Sequence, residues 1–186
     1  MSTDEPPDDE LLARLRLHPD AIGLLFERHA RAVHRFLARR TGPQAADDLL
    51  AEVFVAATTA RERVHAHPSG SALPWLYGIA RNVVRAHLRR RAPTPGWPPD
   101  DHMDWAAVDD RLDALGRRDE LRRALAALTP DERDVLLLVA WDGLTPAEAG
   151  SVLGISGDAA RSRLARARRR AQAALDSAPR KDISWT

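Results

Sequence analysis

From residue 21 onward, apolar positions return every three or four residues, the period of a helix with one buried face. In "AIGLLFERHARAVHRFLARR" the repeat runs through Leu25, Ala32, Val33, Phe36 and Leu37, and Thr41-Gly42 stops it. A second helix is predicted in "PQAADDLLAEVFVAATTARER", with Leu50, Val53, Phe54 and Ala57 on one face. "HAHPSGSA" reads as a loop from its Pro, Ser and Gly content. Pro74 suits the first turn of a third helix, "PWLYGIARNVVRAHLRRR". There Leu76, Ile79, Ala80, Val83 and His87 are expected inward, leaving Arg81, Asn82, Arg85 and Arg89 outward.

"APTPGWPPDD" cannot continue a helix and reads as a linker. Beyond it, "RRDELRRALAAL" is helical, and two matching starts follow. "TPDE" at 129–132 and "TPAE" at 145–148 each offer a Thr N-cap, a Pro in the first turn and a Glu three residues on, a capping box twice over. The first of these helices ends at "WDG", with Gly143 suited to a left-handed cap, and the second stops at Gly154. Ser156 can cap the last helix. A short helix, a turn with Gly and a basic helix form a helix-turn-helix pattern, although an ordinary αα-hairpin reads similarly.

Turning the last helix at its own period separates those two readings. Ala160, Leu164, Ala167, Ala171 and Leu175 form the inward stripe. Opposite lie Asp158, Ser162, Ala165, Arg166 and Arg169, with Arg161 and Arg168 on one shoulder and Arg163 and Arg170 on the other. Small residues at the tip let a backbone approach a major groove, and flanking guanidinium groups reach phosphates. A solvated face would alternate acids with bases at i, i+4, whereas the only acid in the run from 153 to 170 is Asp158, at the dipole-favoured start. Trp75, beside a loop and the basic face of the third helix, adds a ring on which a base could stack. Its alternative role is that of a core residue at a helix start.

Strand signals are nearly absent, so the expected class is all-α: two small helical domains joined by a Pro-rich linker. The boundaries expected are an acidic tail at 1–20, a first domain at 21–91, the linker at 92–110, a second domain at 111–176 and a tail at 177–186. A net charge of +1 conceals basic blocks separated by acidic ones, which suggests two places to meet a polyanion. The acidic tail and central acidic segment could screen both faces in the free protein. With no cysteine there is neither a disulfide nor a thiolate zinc site. No apolar run approaches a membrane span and no signal peptide is evident, so a cytoplasmic protein without membrane insertion is expected. His65 and His67 offer only an HxH pair, and no nucleophile–base pair or Gly-rich phosphate loop appears. No metal, cofactor or catalytic activity is therefore expected.

Five blocks in order resemble an extracytoplasmic-function (ECF) RNA polymerase sigma factor of the sigma-70 family, group 4, over residues 22–175: "LLFERHARAVHRFLARR", "AADDLLAEVFVAA", "LPWLYGIARNVVRAHLRRR", "ALAALTPDERDVLLLV" and "LTPAEAGSVLGISGDAARSRLARARRR". The resemblance implies two sigma regions, region 2 and region 4, that bind core RNA polymerase through its clamp coiled coil and flap, and that bind promoter DNA. An anti-sigma factor is a further possible partner. It implies that Asp47, Asp48, Leu49, Glu52, Val53 and Phe54 dock on the clamp. Arg63, Trp75, Arg81, Asn82, Arg85 and Arg89 would meet the minus-ten element. Asp158, Arg161, Ser162, Arg163, Ala165, Arg166 and Arg169 would read the minus-thirty-five element. The chain departs from the family at Ala51, where Gln is usual, at "AEAG", where an Ile-Ala pair is usual, and at "GDAAR". Gly150 should cost about 1 kcal/mol in an exposed helix, while easing close packing. The alternative function is a helix-turn-helix regulator that no longer engages polymerase.

Overall fold

In the computed structural model, residues 6–64, 66–91 and 118–177 are described, and every regular element among them is helical. The linker, the C-terminal tail with Trp185, and His65 lie outside the described residues. The first half comprises α1 (Asp8–Leu17), α2 (Ile22–Thr41), α3 (Pro43–Ala60) and α4 (Leu73–Arg91). Single turns of 3-10 helix at Pro19–Ala21 and Arg61–Arg63 complete it. The second half comprises α5 (Arg118–Ala126), α6 (Pro130–Ala140), α7 (Pro146–Leu153) and α8 (Gly157–Asp176).

Helices α2 and α3 pack side by side, and α4 crosses both. Their core is built from Leu25, Val33, Phe36, Leu37, Leu49, Val53, Leu76 and Tyr77, all essentially inaccessible to solvent. Each such aliphatic side chain contributes roughly 1.5–3 kcal/mol by leaving water. Phe36 and Tyr77 stack with ring centroids 4.7 Å apart.

The expected acidic tail is corrected over residues 8–17, which form α1. Its three acids fill the first turn, where the helix dipole favours them. Behind them Leu11, Leu12 and Leu15 are buried against the first-half core. Asp8 then ties three segments together. Its carboxylate accepts from Arg28 Nη1 at 2.7 Å, His29 Nε2 at 2.8 Å and the Ala72 N–H at 2.8 Å. Burial alone would raise its pKa, but the Ala72 N–H, Arg28 and His29 outweigh that and hold it below the ordinary value.

In the second half both capping boxes close as the sequence predicts. The Thr129 Oγ1 accepts from the Glu132 N–H at 3.3 Å, and Glu132 Oε2 accepts from the Thr129 N–H at 3.1 Å. The same reciprocal pair joins Thr145 and Glu148, at 3.3 and 2.8 Å. Gly143 (φ 73°) and Gly154 (φ 70°) take the left-handed conformation that ends α6 and α7. Ser156 caps α8 through the Ala159 N–H at 3.1 Å, and Ala160, Leu164 and Ala167 turn inward.

The two halves, expected as separate bodies on a hinge, are packed together. Helix α4 lies along α7, and one apolar cluster runs from the first-half core through Val84 into Val135, Leu138, Val152 and Leu164. The packing shifts the buried stripe of α4: Leu76, Tyr77, Ala80 and Val84 are buried, whereas Ile79, Val83 and His87 are only partly so. Helix α4 has neighbours on two sides, and periodicity alone identifies one.

Candidate polymerase and nucleic-acid interfaces

Helix α3 presents the first surface. Gly42 and Pro43 start it beside the end of α2, and its inner face is fixed by Leu49, Val53 and Ala57. Asp47, Asp48, Ala51, Glu52 and Val55 are left outside. Asp47 lies 2.9 Å from His34 Nε2, and Glu52 faces Arg90 at 3.6 Å. Of the residues predicted here, Leu49 and Val53 are fully buried, so they hold the face in place and touch no partner. Phe54 sits at the edge, in edge-on contact with Phe26 at 4.9 Å.

Sequence reasoning missed Val55 and Phe26, which are 68% and 43% exposed. Val55 stands three residues after Glu52 on the polar side of α3, and an apolar residue in a polar stripe was the available signal. Acids flanking exposed apolar groups form a surface suited to a basic amphipathic partner.

The second surface is the basic face of α4 with the loop before it. Arg63, Asn82 and Arg89 are exposed, Arg85 is partly so, and Trp75 is half-buried against the core. One part of the Trp75 side chain packs on the core and the rest remains accessible. Arg81 departs from expectation. It faces the second half, 3.3 Å from Asp134, and retains 20% exposure.

The third surface is α8. Asp158, Ser162, Ala165, Arg166 and Arg169 are all exposed, as the helical period requires. Asp158 pairs with Arg161 one turn on. The shoulder arginines divide differently from the prediction. Arg163 reaches Asp131 at 3.2 Å, and Arg170 reaches Glu132 at 2.7 Å, so both brace α8 against the start of α6. Arg166 Nε lies 3.9 Å from Glu132, half exposed. Burial raises the Glu132 pKa, but the Thr129 N–H and Arg170 pull harder and leave it lowered.

Gly150 sets how closely the turn before α8 approaches α7. A Cβ there would lie 2.9 Å from the Ile155 carbonyl oxygen and 3.3 Å from two Ser156 backbone atoms. The position is buried rather than exposed, so glycine permits a contact that alanine would obstruct.

A fourth surface was not anticipated. Helices α5, α6 and α8 enclose an open groove of about 500 Å³, lined by Leu121, Leu125, Leu136, Leu137, Trp141 and Ala171, among others. Among the described residues, no group of three or more His, Cys, Asp or Glu could hold a metal ion. No helix among them is long and apolar enough to cross a membrane.

Two family models match the chain: Sigma-70 region 2 over residues 25–94, and Sigma-70, region 4, over residues 118–170. The chain is 36% identical over 172 residues to an ECF RNA polymerase sigma factor, SigC, of Mycobacterium tuberculosis, covering 87% of this chain and 89% of the relative. It is 37% identical over 147 residues to the RNA polymerase sigma factor CarQ of Myxococcus xanthus, covering 77% and 83%. Among solved structures, CnrH in complex with the cytosolic domain of CnrY is similar with a TM-score of 0.62 at 28% identity, over 92% of this chain and 99% of that one.

Proposed function

The chain belongs to the sigma-70 family as an extracytoplasmic-function sigma factor, directing RNA polymerase to promoters, and we propose how its own residues divide that work. Residues 21–91 act as region 2 and 111–176 as region 4, and α1 packs onto the first of these rather than trailing from it as a tail. The exposed side of α3, through Asp47, Asp48, Glu52 and the edge of Phe54, docks on the polymerase clamp, and Val55 and Phe26 add the apolar contact. The groove beside Trp141 receives an apolar segment of the flap.

Arg63, Trp75, Arg81, Asn82, Arg85 and Arg89 engage the minus-ten element as a melted strand, where guanidinium groups pair phosphates and the indole stacks a base. At the minus-thirty-five element, Asp158, Arg161, Ser162, Ala165 and Arg166 face base edges, while Arg169 reaches phosphate. Arg163 contributes by bracing the helix. The observation that carries this division is the slim tip of α8, small and acidic at its start and ringed by arginines, on a helix-turn-helix whose every cap is closed.

The chain carries no catalysis of its own, works in the cytoplasm, and is open to control by an anti-sigma protein; CnrH, to which it is similar, is seen in complex with the cytosolic domain of another protein, CnrY. The test is runoff transcription with purified core polymerase and genomic fragments. Start sites of one promoter class are expected. DNA binding without core, and no runoff product, would overturn the assignment in favour of the regulator reading.

A further inference from the structure

The N–H of a helix's N-cap residue has no acceptor within the helical ladder and must find one elsewhere. In α6 and α7 the helix supplies its own. The Glu three residues on, Glu132 or Glu148, accepts from the Thr129 or Thr145 N–H at 3.1 and 2.8 Å. Helix α4 begins at Leu73, after Ala72, and the residue in the corresponding position is Trp75. An indole is a donor only and cannot take that bond. The carboxylate comes instead from Asp8 on α1, 64 positions earlier, which accepts from the Ala72 N–H at 2.8 Å.

Asp8 is itself held in place. Its side chain is only 10% exposed, and Arg28 Nη1 and His29 Nε2 of α2 donate to its two oxygens at 2.7 and 2.8 Å. Helix α1 also packs against the 3-10 turn Arg61–Arg63, so it supports both ends of the loop before α4. At those ends Val64 and Ala72 are buried, while Ala66, Pro68 and Ser69 between them are exposed. Within the loop the Gly70 N–H donates to the His67 carbonyl oxygen at 2.8 Å, and the Leu73 N–H donates to Ser71 Oγ at 3.2 Å. These bonds shape the loop locally. The Asp8 contact ties its end to α1 and α2.

We propose that Asp8 is a positioning residue for minus-ten recognition. By capping α4 from another helix, it leaves the third position of α4 free for the Trp75 ring. It also fixes the loop and the first turn of α4 before DNA arrives, so that less order has to be imposed when a melted strand is captured. Its effect therefore falls on promoter opening and on the choice of minus-ten bases, and spares the first encounter with duplex DNA. The inference rests on the assignment of the α4 face and its preceding loop to the minus-ten strand.

The test uses polymerase holoenzyme reconstituted with the full chain, and a promoter carrying a fluorescent adenine analogue in its minus-ten element, which brightens as the base leaves the stack. Asp8→Ala should slow opening by about tenfold, the weight of one lost hydrogen bond to a charged group, with unchanged affinity of the closed complex. Selection among randomised minus-ten sequences should flatten in parallel. Asp8→Asn keeps an oxygen for the Ala72 N–H and should recover part of the rate and of the selection. It carries the test if Asp8→Ala does not fold, with a slowing of roughly threefold expected. Leu37→Ala, buried in the same core about two turns along α2 from His29, is the control for lost stability alone. It should lower the urea midpoint and leave opening and selection unchanged. Wild-type opening and selection in the folded Asp8 variants, or an equal loss of both in Leu37→Ala, would overturn the proposal. The minus-ten reading is checked separately with Asn82→Ala and Arg89→Ala combined, both at exposed positions of α4. Undiminished opening there removes that reading, whereas lost opening there with wild-type behaviour of the Asp8 variants removes only the positioning role.

Discussion

Replacing Gly150 with alanine sets two effects of opposite sign against each other. In a helix interior alanine is favoured over glycine by about 1 kcal/mol, so propensity alone predicts a more stable protein. The structure predicts the reverse. The new methyl would stand 2.9 Å from the Ile155 carbonyl oxygen and 3.3 Å from the Ser156 carbonyl carbon and oxygen, and all three are backbone atoms with no rotamer to yield. Relief requires the turn to retreat by roughly 0.5 Å, and overpacking of this kind costs about 1–3 kcal/mol. The net expectation is a loss of up to about 2 kcal/mol, once the gain in propensity is subtracted.

The retreat also moves the N-terminal end of α8, because Ser156 caps that helix. Discrimination between minus-thirty-five sequences should therefore suffer beyond the loss of stability. Urea unfolding gives the first quantity, and competition between promoter variants in the holoenzyme gives the second. Gly78→Ala in α4 is the internal control. Nothing lies within 4 Å of a Cβ there, so it should gain up to about 1 kcal/mol. If Gly150→Ala gains stability as Gly78→Ala does, and promoter preference is unmoved, the close approach has no energetic weight and the reasoning fails.

Three further outcomes are expected. Asp48→Ala with Glu52→Ala should weaken binding to core polymerase by about tenfold while leaving helicity intact, because both side chains are exposed; circular dichroism and a core-binding titration check both halves of that statement. Arg166→Ala should change promoter choice and reduce the salt slope of DNA binding, measured from 50 mM to 200 mM salt, by about one unit or less. The carboxyl groups of Asp8, Glu132 and Glu148 all lie below their ordinary values of 3.8, 4.5 and 4.5. The unfolded chain therefore binds more protons than the folded one near those values, and the stability they confer is complete above them and is lost as pH falls below about 4.5. Urea midpoints from about pH 7 down to about pH 3 should be flat and then fall, with a shallower fall in Glu148→Gln. A midpoint that rises on acidification contradicts these assignments.

Local signals were legible because they depend on a few adjacent residues. The two Thr-Pro-x-Glu starts, Gly143, Gly154 and the Ser156 cap all formed as their spacing predicts. Helix α1 was obscured because its first-turn acids resemble a solvated tail, while Leu11, Leu12 and Leu15 make too short a stripe to announce a helix. Helix α3 was legible in position but not in the division between buried Leu49 and Val53 and exposed Val55. The contacts of Arg81, Arg163 and Arg170 were not legible at all. Helical phase states which way such a side chain leaves its own helix, and carries no information about which carboxylate waits there. Asp142 and Arg40 are 102 residues apart, and no local pattern couples them.

Each capping box ends in a glutamate that retains a second use. Glu132 starts α6 and receives Arg170 of α8, and Glu148 starts α7 and receives Ser69 of the other half. The residue that tells a helix where to begin thus also tells a distant segment where to lie. At position 145, Ser for Thr would preserve the cap and disturb little else. At position 148 a single substitution poses two structural problems together, so the register of a helix and the placement of a domain cannot drift independently.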